Sequence, residues 1–150
     1  MGLAGDLRKF GIKSKEKLSK VHRGASLQLG ADVTIGTPVR LGTARFNWQP
    51  SINNPASGVL DGKDLSGQLA IARLKAELEQ VQLGQPFYFV NNLPYIYTLE
   101  YGGYGTGPGA TDKTNGTGYS IQAPNGMLRI NVLRWNGIVR AVARKVANEP

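Results

Sequence analysis

Residues 90–127 read VNNLPYIYTLEYGGYGTGPGATDKTNGTGYSIQAPNGM, and the order of their parts decides how the chain is arranged. Asn91, Asn92, Tyr95, Tyr97, Tyr101 and the carboxylate Glu100 gather around Pro94 ahead of the Gly102–Gly103 pair. The segment after Pro94 has room for one or two turns of helix. A Gly- and Thr-rich tract follows over 103–118, and Ala-Pro-Asn-Gly-Met at 123–127 closes the stretch. Ordering so much glycine is entropically costly, which predicts a flexible loop unless a partner docks on it. Gly105, Gly107 and Ala110 make a formal G-x-G-x-x-A match. No strand pattern precedes it and no helix pattern follows, so a dinucleotide site is rejected, and the Gly-Lys-Ser/Thr of a P-loop is missing.

Outward from this stretch the periodicities alternate. Towards the C-terminus, Leu128, Val132, Trp135, Val139, Val142 and Val146 recur at spacings of four and three, with Met127, Ile138 and Ala143 on the same side. This predicts one long helix opening at Pro124 or Asn125, with Arg129, Asn136, Arg140 and Arg144 opposite. Towards the N-terminus, Pro86–Asn92 is aromatic and β-branched and reads as a strand. Before it, Ile71, Leu74, Leu78 and Val81 mark a helix capped by Asp64 or Ser66 and ended by Gly84. Pro50 to Gly62 is a loop. Across Thr43–Ser51, Ala44, Phe46 and Trp48 alternate with polar residues, the period of a half-buried strand. Leu3 to Gly36 is helical in two parts, interrupted near Gly11 and the KSKEK run, with a stripe of Leu18, Val21, Ala25, Leu29 and Val33; Pro38 stops it. The expected class is α+β: a small antiparallel sheet packed against a long N-terminal helix, a middle helix and a long C-terminal helix.

The 150 residues suit one domain with a real core. A 41% hydrophobic and 19% charged composition is globular. No apolar run approaches the ~18 residues of a bilayer span, and the N-terminus has no signal-like apolar region, so no membrane partner is expected and synthesis is expected in the cytosol. With no cysteine, disulfides and thiolate chemistry are absent. The formal charge of +8 is concentrated at the two ends, with seven of the 18 Lys and Arg within Arg8–Arg23 and five between Arg129 and Lys145. Such ends suit phosphate or the acidic face of a protein.

Catalysis finds little to work with. His22 is the single histidine, with no acid nearby to orient it for a nucleophile. The acids show no D-x-D or E-x-x-H spacing, so no metal or other cofactor is expected. Glu100 alone sits in an aromatic setting, and one acid does not make a glycosidase pair. It reads as a structural or interfacial carboxylate that pairs with an arginine and fixes register. The expectation is a protein without enzymatic activity.

Two blocks carry a family resemblance. TPVRLGTARFNWQPS at 37–51 resembles a Thr-Pro-Val-(Asp-Thr)-Gly-x-(Ala/Leu)-x-x-Asn-Trp segment, and NNLPYIYTLEYGG with APNGMLR resembles Asn-x-x-Pro-Tyr-x-x-x-(Leu/Ile)-Glu-Tyr-Gly and Ala-Pro-x-Gly-Met segments, of the neck or tail-completion proteins of long-tailed bacteriophages. The matching residues are Thr37, Pro38, Val39, Gly42, Asn47 and Trp48 in the first block. In the second they are Asn92, Pro94, Tyr95, Glu100, Tyr101, Gly102, Ala123, Pro124, Gly126 and Met127. Arg40 and Leu41 depart from the usual Asp-Thr, and the Gly-rich tract is longer than usual.

The resemblance implies a single tail-completion-like domain over 1–150, with a flexible loop at 103–118 and a basic segment at 1–17. It implies a virion protein of the head-tail joint, forming a six-fold ring with itself around the DNA channel. Its partners would be head connector or stopper proteins, the tail tube or tail terminator protein, and viral DNA that passes without sequence-specific contact. The candidate interface residues are Tyr104, Asp112, Lys113 and Tyr119 in the loop and Lys13, Lys15 and Lys17 in the basic segment. Two alternatives stay open: a tail terminator that caps the tube, and a basic DNA-binding module.

Overall fold

The computed structural model describes residues 2–105 and 113–150. Its elements run α1 (Leu3–Gly36), α2 (Thr43–Phe46), β1 (Gln49–Ile52), α3 (Gln68–Gln80), β2 (Phe87–Val90), α4 (Ile96–Tyr101), α5 (Arg129–Val132) and α6 (Trp135–Ala147). β1 and β2 pair antiparallel, with Gln49 opposite Val90 and Ile52 opposite Phe87. The class is α+β, as expected. A two-stranded sheet is marginal by itself, and here helices supply what it lacks: Phe89 stacks on Trp48 at 5.2 Å and packs with Leu74 and Leu78 of α3.

α1 is continuous, where an interruption was expected. One glycine costs a helix only ~1 kcal/mol, whereas Lys and Glu are good helix formers and Glu16 precedes Lys20 at the favourable i,i+4 spacing. Two glycines further along set how closely other helices approach. A Cβ on Gly24 would come within 2.8 Å of Val142 in α6, and one on Gly30 within 2.3 Å of Leu74 in α3. α6 runs antiparallel to α1, since Lys20 bonds Glu149 at 2.5 Å and Asp32 meets Arg134 at 3.5 Å.

The expected strand at Thr43–Ser51 is corrected to a helical turn followed by a short strand. Ala44 and Trp48 are both buried, which a spacing of four on a helical turn satisfies as well as alternation does. Asn47 decides between them. It is fully buried, donates Nδ2 to the carbonyls of Thr43 and Leu60, and accepts from the Leu60 N–H at 2.7 Å. Gly42 holds φ +84° at the start of the turn, with the Asp64 backbone where a side chain would stand.

α3 begins after Asp64, whose two oxygens accept from the N–H groups of Gly67 and Ala70 at 2.8 and 2.9 Å. It ends at Gln80, ahead of Gly84, which instead takes φ +93° in the following turn. The single terminal helix is likewise corrected. Gly126 sits at φ +81°, so no helix can run through from Pro124. The chain turns at 120–126, forms α5, breaks at Leu133 and Arg134, and resumes as α6. At the break, buried Asn131 spends its side-chain N–H on the Met127 carbonyl and its oxygen on Arg134, a local competition that bends helices. Leu128 and Val132, expected on the buried stripe, are exposed.

The core gathers Val33, Trp48, Ala70, Leu93, Leu99 and Met127, with a second cluster at Leu74, Leu78 and Val81. At its edge the Trp48 indole N–H donates to the Thr37 hydroxyl at 2.8 Å, and that hydroxyl donates to the Val33 carbonyl at 2.8 Å. Thr37→Val should therefore leave a buried N–H without an acceptor and cost ~1–3 kcal/mol. Urea unfolding measures the loss, and Thr37→Ser should restore most of it.

Candidate functional site

The two resemblance blocks form two packed nodes. In the first, Thr37 ends α1 in extended conformation and Pro38 prevents its continuation. Arg45 then donates Nε to the Thr37 carbonyl, Nη2 to Ile35 and Nη1 to Leu65, at 2.9, 2.7 and 2.8 Å. A cation at a helix C-terminus is favourable, and burial pulls the Arg45 guanidinium below its usual range while Asp64 pushes it back up. Alternation over Thr43–Ser51 places Arg45 on a polar strand face; its proximity to these three carbonyls follows only from the turn. Asn92 belongs beside this node, holding the Ala56 and Gly58 carbonyls.

The second node is centred on Glu100, which is 5% exposed on α4. Its Oε2 accepts from the N–H groups of Met127 and Leu128 at 2.8 and 2.7 Å, and its Oε1 from the N–H and Nε of Arg129, both at 2.9 Å. The expected arginine pairing is present, at Arg129. The three backbone donors show that the carboxylate also caps the first turn of α5, where unpaired N–H groups and the helix dipole favour an anion. Burial raises the Glu100 pKa, but the bonds from Leu128, Arg129 and Met127 and from the Arg129 side chain outweigh it, so the carboxyl lies below its usual range.

Gly126 is dictated by the same carboxylate. A Cβ there would fall 2.5 Å from the Glu100 carbonyl oxygen and 2.8 Å from Oε2. Arg129, predicted on an open basic face with Arg140 and Arg144, is corrected: still half exposed, it folds back on α4, bonds the Glu100 carbonyl at 3.0 Å and lies 4.3 Å over the Tyr101 ring. Tyr101 in turn packs on exposed Tyr97 at 4.4 Å. Ala123 and Met127 are buried, whereas Pro94, Tyr95 and Pro124 are exposed.

The loop between these parts is clasped at its base. The N–H groups of Gly103 and Tyr104 both donate to the Gly118 carbonyl. Gly102, at φ +76°, leaves space for the Tyr119 ring, whose hydroxyl accepts from Arg129 at 3.5 Å. Asn115 organises a tight turn by accepting from Thr117 and Tyr119, and Thr114 bridges Ser120. Of the candidate interface residues, Tyr104 packs against the main core and Tyr119 is half-buried beside Gly102, while Lys113 is exposed. Asp112 and the Gly107 and Ala110 of the dinucleotide-like match lie outside the described residues. Lys13 and Lys15 are exposed on the first part of α1, and Lys17 donates to the Ala147 carbonyl at the end of α6. Among the described residues, no group of three His, Cys, Asp or Glu could hold a metal ion, and no helix is long and apolar enough to cross a membrane.

No family model, curated protein or solved structure matches the chain.

Glu100→Gln places an amide N–H₂ among backbone donors and should cost at least ~2 kcal/mol at pH 7, the scale of hydrogen bonds to charged groups. The folded pKa is depressed, so this contribution is present above the unfolded value of ~4.3 and is lost as pH falls through the lower folded value. The gap between wild type and Glu100→Gln should therefore narrow below about pH 4 in urea titrations. Arg129→Met should cost less than Glu100→Gln, because the three backbone donors remain. Gly126→Ala, combining positive φ with a backbone clash, should be the most damaging of the three.

Proposed function

We propose that this chain is a structural protein of a bacteriophage head-tail joint, assembling as a homo-oligomeric ring that connects the tail to the head connector around the DNA channel. Support comes from the sites of the resemblance. Residues that match the neck-protein segments touch one another: Glu100 meets Gly126 and Met127 from a separate segment, and within the first block Trp48 bonds Thr37. A chance likeness in two short blocks has no reason to select side chains that depend on one another. In this reading the nodes act as a scaffold, and the protein works by assembly, without a reaction to catalyse. Its neighbours would be the connector or stopper on one side and the tail tube or terminator on the other.

The basic rival, a DNA-binding module, loses part of its surface because Arg129 is spent on Glu100. Two experiments decide. Electron microscopy of the purified chain should show closed rings, six-fold in the simplest match to a tail tube, with an axial opening that passes duplex DNA. Disrupting the gene in the phage that carries it should yield full heads and finished tails that fail to join. Overlong tails would reassign the protein as a terminator, and normal virions would overturn the reading. Duplex DNA binding with a steep salt dependence, and no ring, would favour the DNA-binding rival.

A further inference from the structure

α1 is longer than the body it packs on. Among the described residues, its first hydrogen bond to another element is from Lys17 to the end of α6. Residues 3–16 form an arm, roughly 20 Å long at 1.5 Å per residue. Along one face the arm carries Leu3, Leu7 and Phe10, which are 75%, 60% and 72% exposed. The same helix face, interrupted by Ser14, carries on to Leu18, still 56% exposed, and to half-buried Val21, where the stripe enters the body.

The same chain carries an apolar trough of matching length. Two cavities of about 510 and 420 Å³ adjoin, sharing Trp135, along the face of α1 from Leu18 to Val33. This is again ~22 Å of helix. The far wall is Phe87 and Phe89 of β2 with the turn before it, and the near wall is Leu128, Val132 and Val139 at the α5–α6 break. His22 is its one titratable lining residue.

We propose that the arm of one copy lies in the trough of the next, with Leu3, Leu7 and Phe10 seated against Trp135 and the β2 aromatics. The occupant is a second copy because both halves of the contact are on this chain and of equal length, the arm offering the apolar face of Leu3, Leu7 and Phe10 and the trough an apolar lining. Among the described residues, the trough's lining has His22 but no Asp, Glu, Lys or Arg to attract a charged ligand. The arm cannot reach its own trough, because α1 is unbroken between the two. Laying the segment 3–16 in a groove would bury on the order of 700 Å² per partner, near the ~800 Å² of a standard interface. A contact between unlike patches is heterologous and propagates head to tail, closing into a ring when the rotation allows. This gives the ring of the proposed function its contact and rests on that reading, although it can fail while the ring survives.

The test uses the full chain. Wild type should be oligomeric at micromolar concentration by light scattering, equally at 0.1 M and 1 M NaCl, because apolar burial is not screened. Leu7→Glu with Phe10→Glu, on an exposed helix face, should keep the circular dichroism spectrum and lose self-association by on the order of 100-fold or more. The chain has no cysteine, so mixing a Phe10→Cys chain with a His22→Cys chain under oxidation should give the mixed covalent dimer in preference to either homodimer. An oligomer that the double variant leaves intact, without the mixed cross-link, would overturn the arm contact while leaving the ring in place. A monomer without cross-linking at ~100 µM would overturn it too, and the phage phenotype then judges the functional reading separately. Salt-sensitive binding of the arm to phosphatidylserine vesicles instead of self-association would assign it to a lipid surface and equally overturn the proposal.

Discussion

A single carboxylate sets the geometry on which the second half of the molecule depends. Glu100 reaches across the Gly-rich tract to three successive N–H groups and the side chain of Arg129. Closing so long a loop costs conformational entropy, but that cost grows only slowly with length. Once the anchor is made, the span between its ends can take insertions with little further penalty. The clasp of Gly103 and Tyr104 on Gly118 adds a second closure nested inside the first. The anchor also accounts for Gly126 and Gly102 among the positive-φ glycines near it. Gly126 gives room to Glu100, and Gly102 to Tyr119, whose hydroxyl sits on the same arginine. This is a set of mutual requirements, in which changing one member leaves the others strained or unpaired.

Charge elsewhere follows the same logic of helix ends. Arg45 closes the C-terminus of α1, Arg23 bonds the Val81 carbonyl after α3, and Lys17 reaches the last residue of α6. Asp64 and Glu100 supply the matching anions at the starts of α3 and α5. Cations at carbonyl ends and anions at N–H ends are the stabilising polarity of the helix dipole. Part of the formal +8 is thus used in joining elements of the fold, so net charge alone overstates the basic surface open to nucleic acid. Arg73 illustrates this: it bonds the Phe46 carbonyl, lies over the Phe46 ring, and is pulled down by burial, with Asp64 pushing it back up.

Legibility in the sequence divides along physical lines. α1, α3, α4 and β2 were readable because hydrophobic periodicity or local composition agrees with the fold there. Periodicity misled where a spacing of two and a spacing of four coincide, as at Ala44, Phe46 and Trp48; only the burial of Asn47 separates the alternatives, and its partner Leu60 lies beyond any local window. The terminal helix was overextended because its stripe ignores backbone sign, and Gly126 at positive φ is invisible to a hydrophobic pattern. In the candidate site, the Glu100–arginine pairing was legible in kind, while the choice of Arg129 and the three backbone donors was not. The capping role of Arg45 had no local signal at all.

The break between α5 and α6 has a structural consequence along α1. An unbroken helix from Pro124 would carry Leu128 and Val132 on the stripe that continues through Trp135 and Val139, against the apolar face of α1. Instead, Glu100 fixes where the chain turns, Gly126 permits the turn, and Asn131 bonds the carbonyl four residues back. Leu128 and Val132 are left as part of a wall with surface still exposed, and the trough along α1 stays open. The open trough and the uncovered arm therefore have a common cause: α1 carries more apolar stripe than its own α5 and α6 cover. Such a surplus is a liability for a monomer and an asset for a protein whose working state is several copies of itself, which ties the carboxylate at the centre of one node to the contact proposed between copies.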